Sequence, residues 1–230
     1  MNKITKRTIL SETNCIVWTR SDEKIEYSAA VEYMERKVAD IITKKEDNMI
    51  WFLEHPQVYT VGASSNLADL LDKHKFPVYK TSRGGQITYH GPGQRVIYIM
   101  LDLKAIFYPK EADLAKYVRL LEQTVIEFLF LLGISSERLE GRAGVWVKAK
   151  NGSFNKIAAI GIRVKKWVCF HGISINISPN LDDFKGIIPC GIQEYGVTSL
   201  EKLGYNISVE EFDARFSKIL EDRLKNASTI

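Results

Sequence analysis

The order of apolar and polar positions predicts strands and helices along most of the chain. Alternating or continuous apolar runs predict strands at 15–18, 49–53, 58–61, 77–80, 95–103, 143–149, 156–164 and 167–177. Helical spacing predicts long helices over 25–43 and 110–132, the second stopped by Gly133. A capping box from Ser208 to Glu211 opens a further helix. The pattern indicates an α+β (mixed α/β) fold with most strands between residues 49 and 177.

Length and composition narrow the class of protein. The chain has 230 residues, 45% of them hydrophobic and 26% charged, and no linker divides it. We therefore expect one domain over 1–230, with a small C-terminal helical appendage from about residue 200. No apolar run approaches the ~20 residues of a membrane span, and the polar N-terminus lacks a signal-peptide pattern. Three cysteines without a CxxC pair favour a reducing, cytoplasmic compartment.

Charge is unevenly distributed along the chain. The net charge is +4, yet residues 141–181 hold seven Lys and Arg and no Asp or Glu, which leaves −3 elsewhere. Such a region can steer an acidic partner, or it can be a solvated basic hairpin. A third reading is nucleic-acid binding through interleaved aromatic residues, but strand alternation already explains those residues as core. We therefore predict no nucleic-acid partner and no membrane partner.

A glycine-rich segment, Arg83 to Gln94, is the first candidate for chemistry. Four of its twelve residues are Gly, which permits close backbone approach to a ligand. The pattern matches neither a phosphate loop nor a dinucleotide-binding turn. From the spacing alone, a ligand-binding loop and an ordinary turn-rich hairpin remain equally open.

Two further candidates are a lysine and a cysteine. Simple alternation predicts that Lys156 shares a strand face with Ala158 and Ile160. There it is either a surface lysine with a buried stem or a partly desolvated base. Cys190 lies between Pro189 and Gly191, in a setting typical of an exposed and reactive loop thiol.

The predicted strand 167–177 contains a third feature. Alternation places Trp167, Cys169 and His171 on one face, and Val168 and Phe170 on the other. Cys169 is therefore expected to be an inert core thiol. Cys169 and His171 are close in sequence, but no zinc-ligand spacing follows them, so we predict no metal site.

Four blocks together resemble a known family. RGGQITYHGPGQ, KIAAIG, FHGISINI and PCG occur in this order, and the similarity runs from about residue 51 to 200. This set resembles the lipoyl(octanoyl) transferases. The resemblance implies a mixed β-sheet flanked by helices, like the catalytic domain of biotin and lipoate ligases.

The resemblance also assigns roles to residues. It implies that Cys190 is the catalytic nucleophile and that Lys156 is its activating acid and base. It implies three substrate-binding segments: Arg83, Gly84, Gly85, Gln86, Ile87, Thr88, Tyr89 and His90; Ala159, Ile160 and Gly161; and Gly172, Ile173 and Ser174. Ala159 departs from the pattern, because serine is common there, and any hydroxyl contact at that position is in doubt.

The implied reaction moves an octanoyl group from octanoyl-acyl carrier protein to a lysine of a lipoyl domain, through a thioester on Cys190. The implied acceptors are lipoyl domains of 2-oxoacid dehydrogenase complexes and the glycine cleavage H protein. No metal, nucleotide or other cofactor is required. Two alternatives are an ATP-dependent lipoate or biotin ligase and a cysteine hydrolase that pairs Cys190 with His90 or His171.

Overall fold

The fold is built on a mixed sheet whose two faces are covered by helices. The computed structural model describes residues 3–11, 14–188 and 195–229. The strands are β1 Lys3–Ser11, β2 Asn14–Arg20, β3 Asn48–Leu53, β4 Val58–Val61, β5 Val78–Lys80, β6 Thr88–His90, β7 Gln94–Asp102, β8 Glu137–Leu139, β9 Arg142–Lys148, β10 Phe154–Lys165, β11 Val168–Asn176 and β12 Gly196–Val197. The α-helices are α1 Tyr27–Ile42, α2 Leu103–Phe107, α3 Leu114–Leu131 and α4 Val209–Lys225.

The main sheet follows the order β1-β2-β3-β7-β11-β10-β9-β8, and β12 adds to β10. The β2–β3 and β10–β12 pairs are parallel and the other pairs in this sheet are antiparallel. A small sheet, β5-β4-β6, lies beside it. The mixed α/β arrangement expected from the sequence is therefore confirmed.

The main sheet lies between two hydrophobic cores, each covered by helices. One sheet face packs against α1, through residues such as Met34 and Val38. The other face packs against α3 and α4, and Phe128, Phe212 and Phe216 form an aromatic cluster there. Because α4 contributes to the same core as the sheet, the region after residue 200 is packed onto the rest of the fold.

The boundaries of several elements differ from the sequence prediction. Helix α3 begins at Leu114, where the Asp113 side chain accepts a hydrogen bond from the Lys116 amide, four residues after the predicted start at 110. Leu114, the first residue of this helix, is 41% exposed, although an apolar residue at a core-facing helical position is expected to be buried. The short helix α2 and the edge strand β1 were not predicted, since neither carries a clear apolar period.

Candidate functional site

A β-bulge decides where the Lys156 side chain points. Lys156 pairs with Trp146 and Ala158 pairs with Val145, so Ile157 is an extra residue on β10. Ile157 and Ala158 both pack into the core with α3 and α4, whereas Lys156 lines a cavity on the opposite face. The prediction that Lys156 shares a face with Ala158 and Ile160 is therefore wrong, because a bulge re-aims the side chains that precede it.

The Lys156 side chain has a defined, water-poor setting. It is 8% exposed, its Nζ donates to the Ala143 carbonyl at 3.1 Å, and the same nitrogen lies 4.5 Å from the centroid of the Trp146 ring. Gly144 leaves space for the Lys156 side chain, because a Cβ at position 144 would lie 3.4 Å from Lys156 Cε. The same Cβ would also collide with the Ala158 carbonyl. The ammonium is thus held by a carbonyl and a π face.

The cavity has a volume of about 590 Å³ and gathers most of the predicted site residues. From those predictions it is lined by Arg83, Gly85, Gln86, Ile87, Thr88, His90, Lys156, Ala159, Ile160, Gly161, Gly172, Ile173 and Ser174. Gly84 and Tyr89 are not among the lining residues, and the Tyr89 hydroxyl instead donates to Asp183 at 2.9 Å. Cys190 lies outside the described residues.

The glycine-rich segment is fixed onto β10. The buried Arg83 guanidinium donates to the Thr60 carbonyl and hydroxyl at 2.9 and 2.7 Å, and the Gly84 amide donates to the Ile162 carbonyl at 2.9 Å. Glycine at position 161 permits this approach, since a Cβ there would lie 3.1 Å from the Gly84 carbonyl oxygen. The segment forms one wall of the cavity.

His90 is held as a neutral ring by a chain of amides. Gln94 donates through Nε2 to Asn176 Oδ1 at 2.9 Å, so its Oε1 accepts from His90 Nδ1 at 2.6 Å. Burial and the neighbouring His55 hold the pKa of His90 well below its usual range. The Nε2 of His90 is therefore a hydrogen-bond acceptor. Asn176 in turn donates to the Thr198 carbonyl at 2.9 Å, which ties the cavity wall to the chain after β12.

Three aromatic side chains complete the buried end of the site, and sequence reasoning missed them. His55 donates from Nδ1 to the Ile25 carbonyl at 2.5 Å, and its Nε2 lies 2.7 Å from the Tyr98 hydroxyl. Burial lowers the pKa of His55 to about 4, so its neutral Nε2 accepts a hydrogen bond from the Tyr98 hydroxyl. The Tyr27 ring lies 5.3 Å from His55 and 6.1 Å from His90. Each of these residues reads as ordinary core in the sequence.

His171 departs from strand alternation. Its φ of 61° lies in the left-handed region. The ring stacks on Phe170 at 5.2 Å and meets Tyr98 at 6.0 Å, so the prediction that it faces away from Phe170 is wrong. Burial, aided by the positive charges of Arg83 and Arg163, lowers the pKa of His171 to about 3. Within the described residues neither ring nitrogen has a hydrogen-bond partner.

Residue 172 is glycine because there is no space for a side chain at this position of β11. A Cβ at Gly172 would collide with the Ile97 carbonyl on the adjacent strand. The Phe170–Gly172 turn of the backbone thus brings an imidazole into the cavity while β11 stays paired with β7.

Both flanks of the Cys190 segment are attached to the fold. On one side the Ile188 amide donates to the Asp69 carbonyl at 2.8 Å. On the other, β12 pairs with Asn155 and Lys156, and the Thr198 amide donates to the Lys156 carbonyl at 3.0 Å. The Tyr195 ring also packs at 5.2 Å against the Trp146 ring that holds Lys156. Residues 196–198, which follow Cys190 in the sequence, therefore lie against the Lys156 strand.

The other cysteines have different surroundings. Cys169 is buried and its thiol contacts the Tyr117 hydroxyl at 3.2 Å. Burial raises the pKa of Cys169 to about 11, which confirms the expectation of an inert core thiol. Cys15 is half-buried in a different cleft.

Over residues 3–11, 14–188 and 195–229, no three His, Cys, Asp or Glu side chains come together as metal ligands. In the same ranges, no helix combines the length and the apolar character that a membrane crossing requires.

The basic stretch is divided by the fold. Lys148 and Lys150 lie at the β9–β10 hairpin, where Lys148 contacts the Phe154 ring that packs against Tyr195, whereas Lys165 and Lys166 lie at the other end of β10. Arg142 lines the cavity, and its guanidinium lies 4.9 Å from the Tyr195 ring centroid. Of the seven basic residues, Arg142 and Lys156 line the cavity.

Comparison with known proteins agrees with this geometry. The octanoyltransferase of Bartonella quintana is 46% identical over 214 residues, which cover 90% of this chain and 86% of the relative. The octanoyltransferase of Agrobacterium fabrum is 46% identical over 213 residues, covering 89% and 78% of the two chains.

Solved structures share the fold at lower identity. The lipoate protein ligase of Thermoplasma acidophilum superposes with a TM-score of 0.63 at 14% identity, covering 84% of this chain and 79% of the ligase. A lipoate-protein ligase A bound with ATP gives 0.61 at 14% identity, covering 91% and 83%. A family model described as the lipoyl protein ligase A/B catalytic domain matches residues 26–221. The chain therefore belongs to the lipoyl protein ligase A/B catalytic domain family, and within it to the octanoyltransferases.

Proposed function

We propose that this octanoyltransferase moves an octanoyl group from the thioester of acyl carrier protein to a lysine amine of a lipoyl domain, with Cys190 as the covalent carrier. The observation that carries the mechanism is the setting of Lys156. A buried lysine is aimed into a cavity by a bulge, next to the strand at which the Cys190 segment returns. A cation beside a thiol favours the thiolate, which is the reactive form.

The first half of the reaction exchanges one thioester for another. The Cys190 sulfur attacks the octanoyl carbonyl, the new C–S bond forms, and the bond to the carrier sulfur breaks. The carrier leaves as a thiol after taking a proton, which Lys156 supplies. Backbone amides of the glycine-rich segment are candidates to stabilise the tetrahedral oxyanion.

The second half forms the amide. The amine of the acceptor lysine attacks the Cys190 thioester, a C–N bond forms, and the C–S bond breaks. The proton lost by the amine returns to the enzyme, with Lys156 as acceptor and Cys190 as the leaving thiolate. No oxidant, metal or nucleotide enters either step.

The acceptors that fit this chemistry are lipoyl domains of 2-oxoacid dehydrogenase complexes and the glycine cleavage H protein. The fold of this chain resembles a ligase that was solved as part of a lipoylation system with its E2 lipoyl domain, which supports that class of acceptor. A reduced thiol at position 190 requires a reducing compartment, which favours a cytoplasmic location. We take residues 1–230 to act as one catalytic domain.

Intact-mass analysis tests the proposal. The full chain is incubated with octanoyl-acyl carrier protein without acceptor, and we expect one octanoyl group on Cys190. Cys190→Ala should show neither the adduct nor transfer, whereas Cys15→Ala, a half-buried thiol in another cleft, should retain both.

The rival functions give different products. An ATP-dependent ligase would use free octanoate with ATP and would not need Cys190. A cysteine hydrolase would release octanoate to water without an amine acceptor. Transfer by Cys190→Ala at a near-normal rate would contradict the proposal.

A further inference from the structure

His171 is a buried imidazole whose hydrogen-bonding groups have no partner among the described residues. Its side chain is 2% exposed, and in the described part of the chain neither ring nitrogen finds a hydrogen-bond partner. Buried polar atoms in folded proteins are almost always hydrogen-bonded, and an orphaned one is costly. A neutral imidazole presents one donor and one acceptor. The cavity it lines is the place from which such a partner can come.

The position of His171 within the cavity is specific. It lies at the buried end, among Tyr27, Arg83, His90 and Tyr98, all of which are buried. Lys156 is held at the other end by Ala143, and that end opens through exposed residues Glu140 and Gly141. The β10–β11 register pairs His171 with Ile162, six residues beyond Lys156 on β10. The strand rise puts the two backbone positions roughly 20 Å apart, and the lengths of the two side chains reduce this to on the order of 10 Å, comparable with an extended eight-carbon acyl chain.

The strands between these ends contribute small and apolar lining residues. Val96, Ala159, Gly161 and Gly172 are among them, and Ser174 adds a hydroxyl. An acyl chain whose carbonyl sits near Lys156 would therefore cross an apolar wall. Its last carbon would then meet the one unpartnered imidazole recorded in the described ranges.

We propose that this cavity also takes acyl chains with a hydrogen-bonding group at the far end, an ω-hydroxyacyl chain being the simplest, and that His171 pairs with that group. The inference rests on the proposed octanoyl transfer. The bonds made and broken at the carbonyl are the same, and the ω-hydroxyl is unchanged by the reaction. A fully apolar end would discriminate against the hydroxyl by roughly 100-fold, whereas a site with an open imidazole accepts it.

Competing thioesters provide the test. The full chain is assayed with octanoyl-, 8-hydroxyoctanoyl- and 3-hydroxyoctanoyl-acyl carrier protein, with a lipoyl domain as acceptor. For the unmodified protein we expect kcat/KM for the 8-hydroxy chain within about 10-fold of that for octanoyl. The readout is this ratio, which cancels any general loss of folded enzyme.

Substitutions of His171 locate the effect. In His171→Leu the 8-hydroxy to octanoyl ratio should fall by about 10-fold or more. His171→Asn should restore part of it, because asparagine tolerates a left-handed backbone and can hydrogen-bond. The 3-hydroxy ratio should not change, since that hydroxyl lies near the carbonyl end. His74→Leu, an exposed histidine outside the cavity, is the matched control.

The possible failures are distinguishable. If the unmodified protein does not transfer octanoyl at all, the proposed function is wrong. If octanoyl is transferred but the 8-hydroxy chain is slower by roughly 100-fold or more, the inference is overturned while the proposed function stands. An 8-hydroxy ratio that is the same in His171→Leu and in the unmodified protein overturns it as well.

Discussion

Two clefts of similar size in this molecule differ in how their polar groups are paired. The cavity around Lys156 has about 590 Å³, and a second cleft between β2, β3 and α1 has about 550 Å³. In the second cleft the charges neutralise each other, and the pairs are Lys37 with Glu46, Lys44 with Asp102 at 2.6 Å, and Arg7 with Asp47 at 3.2 Å. In the first cavity Lys156 contacts a carbonyl and a ring, and the two ring nitrogens of His171 have no hydrogen-bond partner in the described residues. The two clefts have similar volumes, and the imidazole that is open to a ligand distinguishes the first from the second.

The largest expected effect comes from two lysines that are matched in burial. Lys156 is 8% exposed and Lys37 is 9% exposed, one in each cleft. Lys156→Met removes the proposed proton carrier and should lower the transfer rate by about 10²–10⁴-fold. Lys37→Met breaks an ion pair whose partner Glu46 is largely exposed, so the rate should stay within about 2-fold. The rate of single-turnover octanoyl transfer is measured for both variants. An equal loss of rate in the two variants would contradict a special role for the lysine of the first cavity.

Acid should destabilise the protein through the buried histidines around the first cavity. His55, His90 and His171 have pKa values lowered to about 4, well below the usual range and to about 3, respectively. The unfolded chain binds these protons near pH 6.5 and the folded chain does not, so stability is complete above about pH 6.5 and falls as the pH drops towards 3. Each of the three histidines should lower the free energy of unfolding by about 2 kcal/mol between pH 6.5 and pH 5.

Urea unfolding between pH 7 and 4.5 measures this loss. Replacing one of the three groups, as in His171→Asn, should make the decline with pH shallower. An exposed control, His74→Asn, should leave the slope as it is. If the free energy of unfolding falls with pH equally in the unmodified protein and both variants, the buried histidines do not cause the loss of stability in acid.

The smallest expected effect concerns the two ends of the basic stretch. Lys148 and Lys150 lie at the end of β10 beside which β12 pairs, whereas Lys165 and Lys166 lie toward the second cleft, where the Trp167 carbonyl accepts from the Leu103 amide. Changing Lys148 and Lys150 to Glu should raise KM for the acidic carrier protein by roughly 3–10-fold at low salt, and the difference should shrink as salt rises. The same change at Lys165 and Lys166 should have less than about a 2-fold effect. Initial rates measured over a series of salt concentrations show which of the two hairpins attracts the carrier protein.

The sequence predicts the fold well where periodicity is regular. Strand β7 and helix α1 match the apolar pattern, and in α1 Ala30, Met34 and Val38 are buried as expected. The glycine-rich segment and Lys156 also come together in one cavity. Local composition carries enough information for these elements.

The remainder depends on geometry that local pattern does not contain. The bulge at Ile157 and the left-handed backbone at His171 both reverse the face that alternation assigns. Tyr27 and Tyr98 join the site from a helix and a strand far apart in sequence, where a buried aromatic residue is typical of core. Only the tertiary structure shows that these two tyrosines line the cavity.

The bulge at Ile157 also makes the step before it intolerant of insertion. One residue added between Lys156 and Ile157 would shift Lys156 by one position of the strand alternation and turn it toward the core that holds Val145 and Val147. Almost the same composition would then present a lysine to aliphatic side chains and remove it from the cavity. By contrast, the exposed turn at Gly152, with open space around it, is a place where a lineage can gain or lose residues without that consequence.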